Sequence, residues 1–266
     1  MLVKLTGQDG FKIKDWSTMK TKIIYEDDHI LVCYKPAGLA TQTGKVGQQD
    51  MVSELKNYLM GKQRAKEPCA GSQRVGDQRA SAPYLGVVHR LDQPVEGLLV
   101  FAKNSKVAAA LTAQLSQGTL NKQYYAVVCG QPVDKSGELV DYMWKDSVSG
   151  SAMVVNDRMA GDRDLAKKAV LQYHVIGQLS TQEPVTLLDI HIDTGRFHPI
   201  RAQLSHAGLP ILGDSRYGSE QSKVLSRRMG VRNIALCAYR IVLQHPVTRK
   251  RLEFQEKPQG TIFSIF

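Results

Sequence analysis

The sequence has no long apolar run. None approaches the ~18–20 residues that a helix needs to cross a bilayer, so a helical membrane span is not expected. Residues 1–7 lack the basic start, apolar stretch and small-residue cleavage site of a secretory leader, and a cytoplasmic protein is expected. Cysteine is sparse as well. Cys33, Cys69, Cys129 and Cys237 lie far apart with no C-x-x-C pair, which fits neither a zinc site nor a disulfide framework. Reduced thiols and no metal are expected. No serine or cysteine stands in a nucleophile elbow beside a histidine, no unit repeats, and no Pro/Gly/Ser-rich linker divides the chain. The last shortage is of acid. Residues 222–251 contain eight basic side chains and no Asp or Glu, within a chain of net charge +10. Such one-signed bias is hard to explain as a salt-bridged, solvated face, and it points to a polyanionic partner such as nucleic acid.

What the sequence does have is many short β-rich runs with helices between them. Residues 1–20 carry little periodicity and read as a lead-in to one domain over 21–266, with Met19 a candidate natural start. Residues 23–35 read as a hairpin turning at Asp27-Asp28. A helix is expected over about 50–60, with Val52, Leu55 and Leu59 on one face. Residues 61–84 break the pattern and read as a basic loop insertion, either an RNA contact or a merely mobile segment. Runs 85–88 and 98–102 read as buried strands. Ser105 is expected to cap a helix to Gln117, with Gly118 as its stop. Further strands are expected at 122–128, 139–144, 152–155, 168–176, 185–193 and 234–243, with a polar loop at 158–164. A helix at 197–206 has Pro199 in its first turn, where the missing N–H costs nothing. A turn at 213–218 and a short basic helix follow. This order, with no regular βαβ alternation, predicts an α+β fold with a mixed, largely antiparallel sheet and flanking helices.

Charge is concentrated between the runs 85–88 and 98–102, where His89, Arg90, Asp92, Pro94, Glu96 and Gly97 form a turn-rich knot. A carboxylate beside buried strands costs several kcal/mol unless it is partnered. Asp92 therefore either caps the turn and pairs with Arg90, or acts as a nucleophile or base whose charge a cation stabilises. Arg201, among Ile200, Leu204 and Ile211, is either an exposed charge or that cation. Tyr124 and Tyr125 are strand neighbours and point to opposite faces. One belongs to the core, and the other could face a cleft and stack on an unpaired base. His198 and His206 carry no metal signature, and Lys35 reads as a surface residue.

These residues also fall into four stretches. His89-Arg90-Leu91-Asp92 is followed by Gly97-Leu98-Leu99-Val100-Phe101-Ala102-Lys103, and Tyr34-Lys35-Pro36-Ala37-Gly38 precedes it. Lys122-x-Tyr124-x-Ala126 comes next, then Thr194-Gly195-Arg196-Phe197-His198-Pro199-Ile200-Arg201 with Gly213-Asp214-x-x-Tyr217-Gly218. In this order they resemble the signatures of the RluA-type RNA pseudouridine synthases. The resemblance implies a cofactor-free isomerase of uridine in structured rRNA or tRNA, on a mixed sheet around one central RNA-binding cleft. It implies that Asp92 breaks the uracil–ribose bond, by attack at C1′ or removal of the C2′ proton. Tyr124 would stack on the base, Arg201 pair with Asp92, Arg90 fill the space of the flipped uridine, and Leu212 line the pocket. His89, Arg196 and His198 are read as RNA contacts, and a monomer is expected. Two departures accompany the match. Val95-Glu96 stand where the family usually has Thr-Ser, and Pro199 stands where it has Gln. Glu96 is expected to bring negative charge beside an anionic substrate. The alternative is a non-catalytic RNA-binding or ribosome-assembly protein on the same fold.

Overall fold

The computed structural model describes residues 19–44, 47–66, 82–155, 166–179, 182–193 and 195–266. Most of the expected lead-in, residues 67–81 of the expected loop insertion, the polar loop at 158–164, Cys69 and Thr194 lie outside them. The first element is the expected hairpin, β1 (Lys22–Glu26) and β2 (Ile30–Lys35). Asp27 makes its turn by accepting the backbone N–H groups of His29 and Ile30 at 2.7 and 2.8 Å, an Asx turn.

Helix α1 runs from Met51 to Lys66, so the first six residues of the expected loop are helical. Asp50 caps it, accepting from Ser53 N–H at 2.7 Å. The extension past Gly61 is built of good helix formers and is tied down where Tyr58 and Lys62 both meet Glu26 at 2.8 Å. Strand β3 is only Gly86–Val87, shorter than its apolar run, and β4 is Glu96–Ala102. Helix α2 (Ser105–Ser116) is capped by Asn104, whose side chain accepts from Val107 N–H at 2.9 Å, not by Ser105.

The strands β5 (Asn121–Cys129), β6 (Ser136–Lys145), β7 (Ala152–Val154), β8 (Lys167–Leu179) and β9 (Val185–Ile192) follow. Helices α3 (Pro199–His206) and α4 (Glu220–Arg228) precede β10 (Leu236–Gln244), β11 (Arg251–Gln255) and a 3-10 turn at Thr261–Ile265. The sheet order is β1-β2-β4-β10-β5-β9-β8-β6-β7, with β11 on β10 and β3 on β4. Among the described strands only β4–β10 is parallel, so the mixed, largely antiparallel α+β fold is as expected. Gly97 allows that pairing. Its φ is +133°, and a Cβ there would lie 2.5 Å from the Ala238 backbone.

Alternation along the strands gives the sheet two apolar faces. Leu31, Cys33, Leu99 and Phe101 pack on one face with α1 and α3 residues such as Leu55 and Leu204. Ile30, Val32, Leu98 and Val100 pack on the other with Val107 and Leu111 of α2. Tyr124 belongs to the first face, and Tyr125 lies on the second, stacked on Tyr239 at 3.7 Å. No helix among the described residues is long and apolar enough to cross a membrane.

Candidate active site

The turn that carries Asp92 is clamped from behind. Thr41 Oγ1 donates to Leu91 O at 2.9 Å and accepts from Leu91 N–H, while Gly38 N–H donates to Gln93 O at 2.9 Å. Lys35, expected at the surface, is fully buried beneath the turn. Its ammonium donates to the carbonyls of Leu39, Gln93 and Pro36 at 2.7, 3.0 and 3.2 Å. Burial pushes the Lys35 pKa down to about 7, against the opposing pull of the Asp92 and Glu96 charges. An apolar run that ends on lysine reads as an edge; only the carbonyls that converge on Nζ reveal the role.

Arg201 reaches the turn from α3. Its Nη1 donates to Asp92 Oδ2 at 3.0 Å, while Nε and Nη2 form a fork on Asp214, both at 2.8 Å. Arg201 is thus the buried cation rather than a surface charge, and Asp92 does not pair with Arg90. The sequence places Asp214 only in a turn. A buried guanidinium with five donors calls for more than one carboxylate oxygen, and that is the signal that points to it. Asp214 also accepts the N–H groups of Arg216 and Tyr217 at 2.9 and 3.1 Å.

His198 supplies the second partner of Asp92. Its Nε2 lies 3.2 Å from Asp92 Oδ2, and its Nδ1 lies 2.9 Å from the Tyr217 hydroxyl. That hydroxyl also accepts from Ala152 N–H at 2.7 Å. The imidazole Nε2–H donates to Asp92. Burial favours the neutral acid at Asp92, but the hydrogen bonds and charges of His198 and Arg201 outweigh it. Together they hold the carboxyl below the usual carboxylate range.

A cavity of about 210 Å³ opens on these groups, and Asp92, Tyr124, Ile192, Arg201 and Leu236 are among its walls. Tyr124 is 4% exposed and lies on the cavity face of β5. Arg90 and Arg196 are exposed at the cavity, joined by Lys122, to which the sequence assigns no role. Arg196 Nε donates to Lys168 O at 2.9 Å. A groove of about 540 Å³ shares Arg90, Asp92 and His198 with the cavity and continues past Thr41 and Gln42. Two expected contacts are placed otherwise. His89 is buried at the back of the cavity, with Nε2 accepting from Val100 N–H at 3.3 Å. Burial, and then the Lys122 charge, hold it neutral, so it forms wall and offers no cation to phosphate. Leu212 is fully buried between Val127 and Ala235 and does not line the cavity; Leu236 does.

The family of RNA pseudouridylate synthases matches this sequence over residues 29–206. The chain belongs to the RNA pseudouridylate synthase family. Similar proteins include ribosomal large subunit pseudouridine synthase D of Zymomonas mobilis, 32% identical over 90% of this chain and 69% of that one. The same-named protein of Pseudomonas aeruginosa is 34% identical over 89% and 68%. The tRNA pseudouridine synthase C of Yersinia pestis is 30% identical over 87% and 84%. Among solved structures, human RNA pseudouridylate synthase domain containing 4 superposes with a TM-score of 0.65 at 22% identity, over 92% of this chain and 91% of that one. At that identity the likeness shows the fold alone.

Of the two departures within this pseudouridylate synthase, the first divides, for Val95 lines the cavity and Glu96 turns away from it. Glu96 is buried, accepting from the Tyr34 hydroxyl at 2.8 Å and from the N–H groups of Gln259 and Gly260 at 3.1 and 3.0 Å. It ties the C-terminal segment to β4 and does not line the cavity, which corrects its expected place beside the substrate. The other, Pro199, opens α3 at its first position and leaves His198 at φ +49°.

Proposed function

We propose that the chain converts uridine to pseudouridine in structured rRNA or tRNA, with Asp92 as the catalytic carboxylate. The observation that carries this reading is the contact of Asp92 with Arg201 and His198 at the wall of a cavity sized for one base. In the isomerisation the N1–C1′ bond breaks, the uracil turns, and a C5–C1′ bond forms. The C5 proton leaves and N1 gains one, so nothing is oxidised or reduced. Asp92 either adds to C1′ or removes the C2′ proton, and both routes need it ionised, as its two donors favour. Tyr124 lies against the base, and the apolar walls keep the detached uracil in place and water from the sugar. Extruding the uridine costs a few kcal/mol of stacking, which Arg90 in the vacated space and phosphate contacts at Arg196 and Lys122 offset. Residues 21–266 act as one catalytic domain, monomeric and in the cytoplasm. Of the departures behind a non-catalytic reading, Glu96 lies outside the cavity, while Val95 and Pro199 line it beside an intact contact of Asp92 with Arg201 and His198.

The test is release of tritium from C5-labelled transcripts of large-subunit rRNA and tRNA. Wild-type protein releases it, and Asp92→Asn releases none while binding the RNA with near-normal affinity. Continued turnover by Asp92→Asn would assign the bond-breaking step to another group.

A further inference from the structure

Both partners of Asp92 rest on one further side chain. The Tyr217 hydroxyl lies 2.9 Å from His198 Nδ1, and Arg201 Cζ lies over the centre of the same tyrosine ring at 5.0 Å. Tyr217 does not line the cavity, so it bears on the reaction only through these two groups. The chain builds its placement locally. Asp214 O accepts Gly218 N–H at 3.0 Å, and a Cβ on Gly218 would come within 2.3 Å of that oxygen, so the tight turn requires glycine. The turn aims Tyr217 back at α3. Its N–H donates to Asp214 Oδ1 at 3.1 Å, and its carbonyl accepts from Ser205 Oγ at 2.6 Å. The ring packs on Met143, Ala152, Ala169 and Ala202, three of them small enough to leave it room.

The hydroxyl is also held from the side of β7. Ala152 N–H donates to it at 2.7 Å, and the neighbouring Arg216 Nη1 donates to Gly150 O. An unbroken chain of hydrogen bonds therefore runs from the β6–β7 hairpin through Tyr217 and His198 to Asp92. Residues 146–154 contribute nothing to the cavity wall, yet through this chain they bear on the carboxylate. A ring nitrogen bonded to a fixed hydroxyl leaves an imidazole little freedom to turn, and a guanidinium over a tyrosine face is attracted by its π-electrons. We propose that Tyr217 is a positioning residue of the reaction, its hydroxyl setting the His198 ring and its face seating the Arg201 guanidinium, so that both hold Asp92 aligned on the sugar. The proposal rests on the RNA-isomerase reading. Small misplacements of a reacting group are costly in rate, so the effect belongs to the chemical step and not to RNA affinity.

The experiment measures single-turnover tritium release by full-length protein in excess over C5-labelled transcript, together with binding of that transcript. It compares wild type, Tyr217→Phe, His198→Ala, the double variant, and Tyr142→Phe, which removes an exposed hydroxyl from β6. Rates are expressed per folded molecule, from urea unfolding. Tyr217→Phe keeps the ring and loses the hydroxyl, so its rate constant should fall about ten-fold with transcript affinity unchanged. The double variant should be no slower than His198→Ala, because a hydroxyl that acts through the imidazole has nothing left to act on. Tyr217→Leu, which removes the ring as well, should be slower than Tyr217→Phe by about three-fold or more. Tyr142→Phe should match wild type. A wild-type rate in Tyr217→Phe overturns the proposal, as do losses that multiply in the double variant; equal rates in Tyr217→Leu and Tyr217→Phe overturn the part given to the ring. A second readout needs no turnover. The Asp92 carboxyl carbon resonance, assigned by its loss in Asp92→Asn, is titrated with acid. Asp92 faces His198 and Arg201, with Asp214 behind the arginine, Lys35 beneath the turn, and Arg90, Arg196 and Lys122 around the cavity. Of these only His198 meets the Tyr217 hydroxyl, so in Tyr217→Phe the titration should move to higher pH. An unmoved titration overturns the proposal whether or not uridine is isomerised, whereas absence of tritium release by wild type sinks the isomerase reading.

Discussion

A histidine held at positive φ immediately before a proline is in a costly conformation, by about 1–3 kcal/mol. His198 is held there because its surroundings fix it from several sides. Phe197 stacks on its ring, Tyr217 meets it edge-on at 5.7 Å and through a hydrogen bond, and Asp92 accepts a hydrogen bond from its Nε2. What the strained conformation secures is an ionised Asp92. Replacing His198 by Gln removes one of the two groups that lower the Asp92 pKa, so the carboxyl rises toward its ordinary value. The acidic limb of kcat/KM should therefore move to higher pH, read from a pH–rate profile against wild type; an unmoved limb would show that Arg201 alone sets the ionisation. Little of this is legible in the sequence. Asp92, Arg201 and Tyr124 can be named from their neighbours and from the family resemblance. The roles of His198, Asp214 and Lys35 come from backbone conformation and from partners distant in the chain, which spacing does not encode.

At the scale of elements, β4 shows where periodicity stops being informative. All seven of its residues are buried, so alternation does not say which way Glu96 points, and the sequence alone turns it toward the substrate. Its partners give the direction: the Tyr34 hydroxyl and two N–H groups of the segment that leads into the C-terminal 3-10 turn. Glu96→Gln is expected to lower stability by about 1–3 kcal/mol, the cost of leaving a buried donor unmatched. Turnover per folded molecule should stay at the wild-type level. Urea unfolding together with the tritium assay below the transition checks both parts, and a fall in turnover without a fall in stability would return Glu96 to the substrate's side. Strand β11 escapes the sequence for the opposite reason. Arg251, Glu253 and Gln255 point outward while Leu252 and Phe254 are half-buried, and the dense charge of this stretch hides its alternation. The hairpin and the strands from β5 to β9 are legible because each buries at least one face and so carries a clear period.

For the molecule as a whole, acid is the condition that tests its ion pairs together. Burial works against the charge of Glu26, yet its contacts with Lys62 at 2.8 Å, Tyr58 and Lys103 at 3.0 Å hold its carboxyl below the ordinary value. Asp27, bonded to two backbone N–H groups and to the buried His245, is lowered in the same way, as is Asp92. Each has a folded pKa below its unfolded one, so the unfolded chain binds more protons as pH falls through that interval. The stability these groups contribute is complete above about pH 4–5 and drains away below it. Urea midpoints should therefore fall gently from pH 7 to 5, where the unfolded chain takes up the proton that buried His89 does not, and steeply under pH 4; a midpoint insensitive to acid would mean that these contacts are not formed in solution. Strand β10 has a different consequence for the whole. It lies between β4, which follows directly from the Asp92 turn, and β5, which bears Tyr124, although both are synthesised long before it. It is the strand that joins the part of the sheet beside the Asp92 turn to the part that bears Tyr124, and it is the last of the three in the chain. A chain cut before β10 would therefore carry both Asp92 and Tyr124 and yet lack the strand that holds them in one sheet, so the two are expected to lose their alignment together.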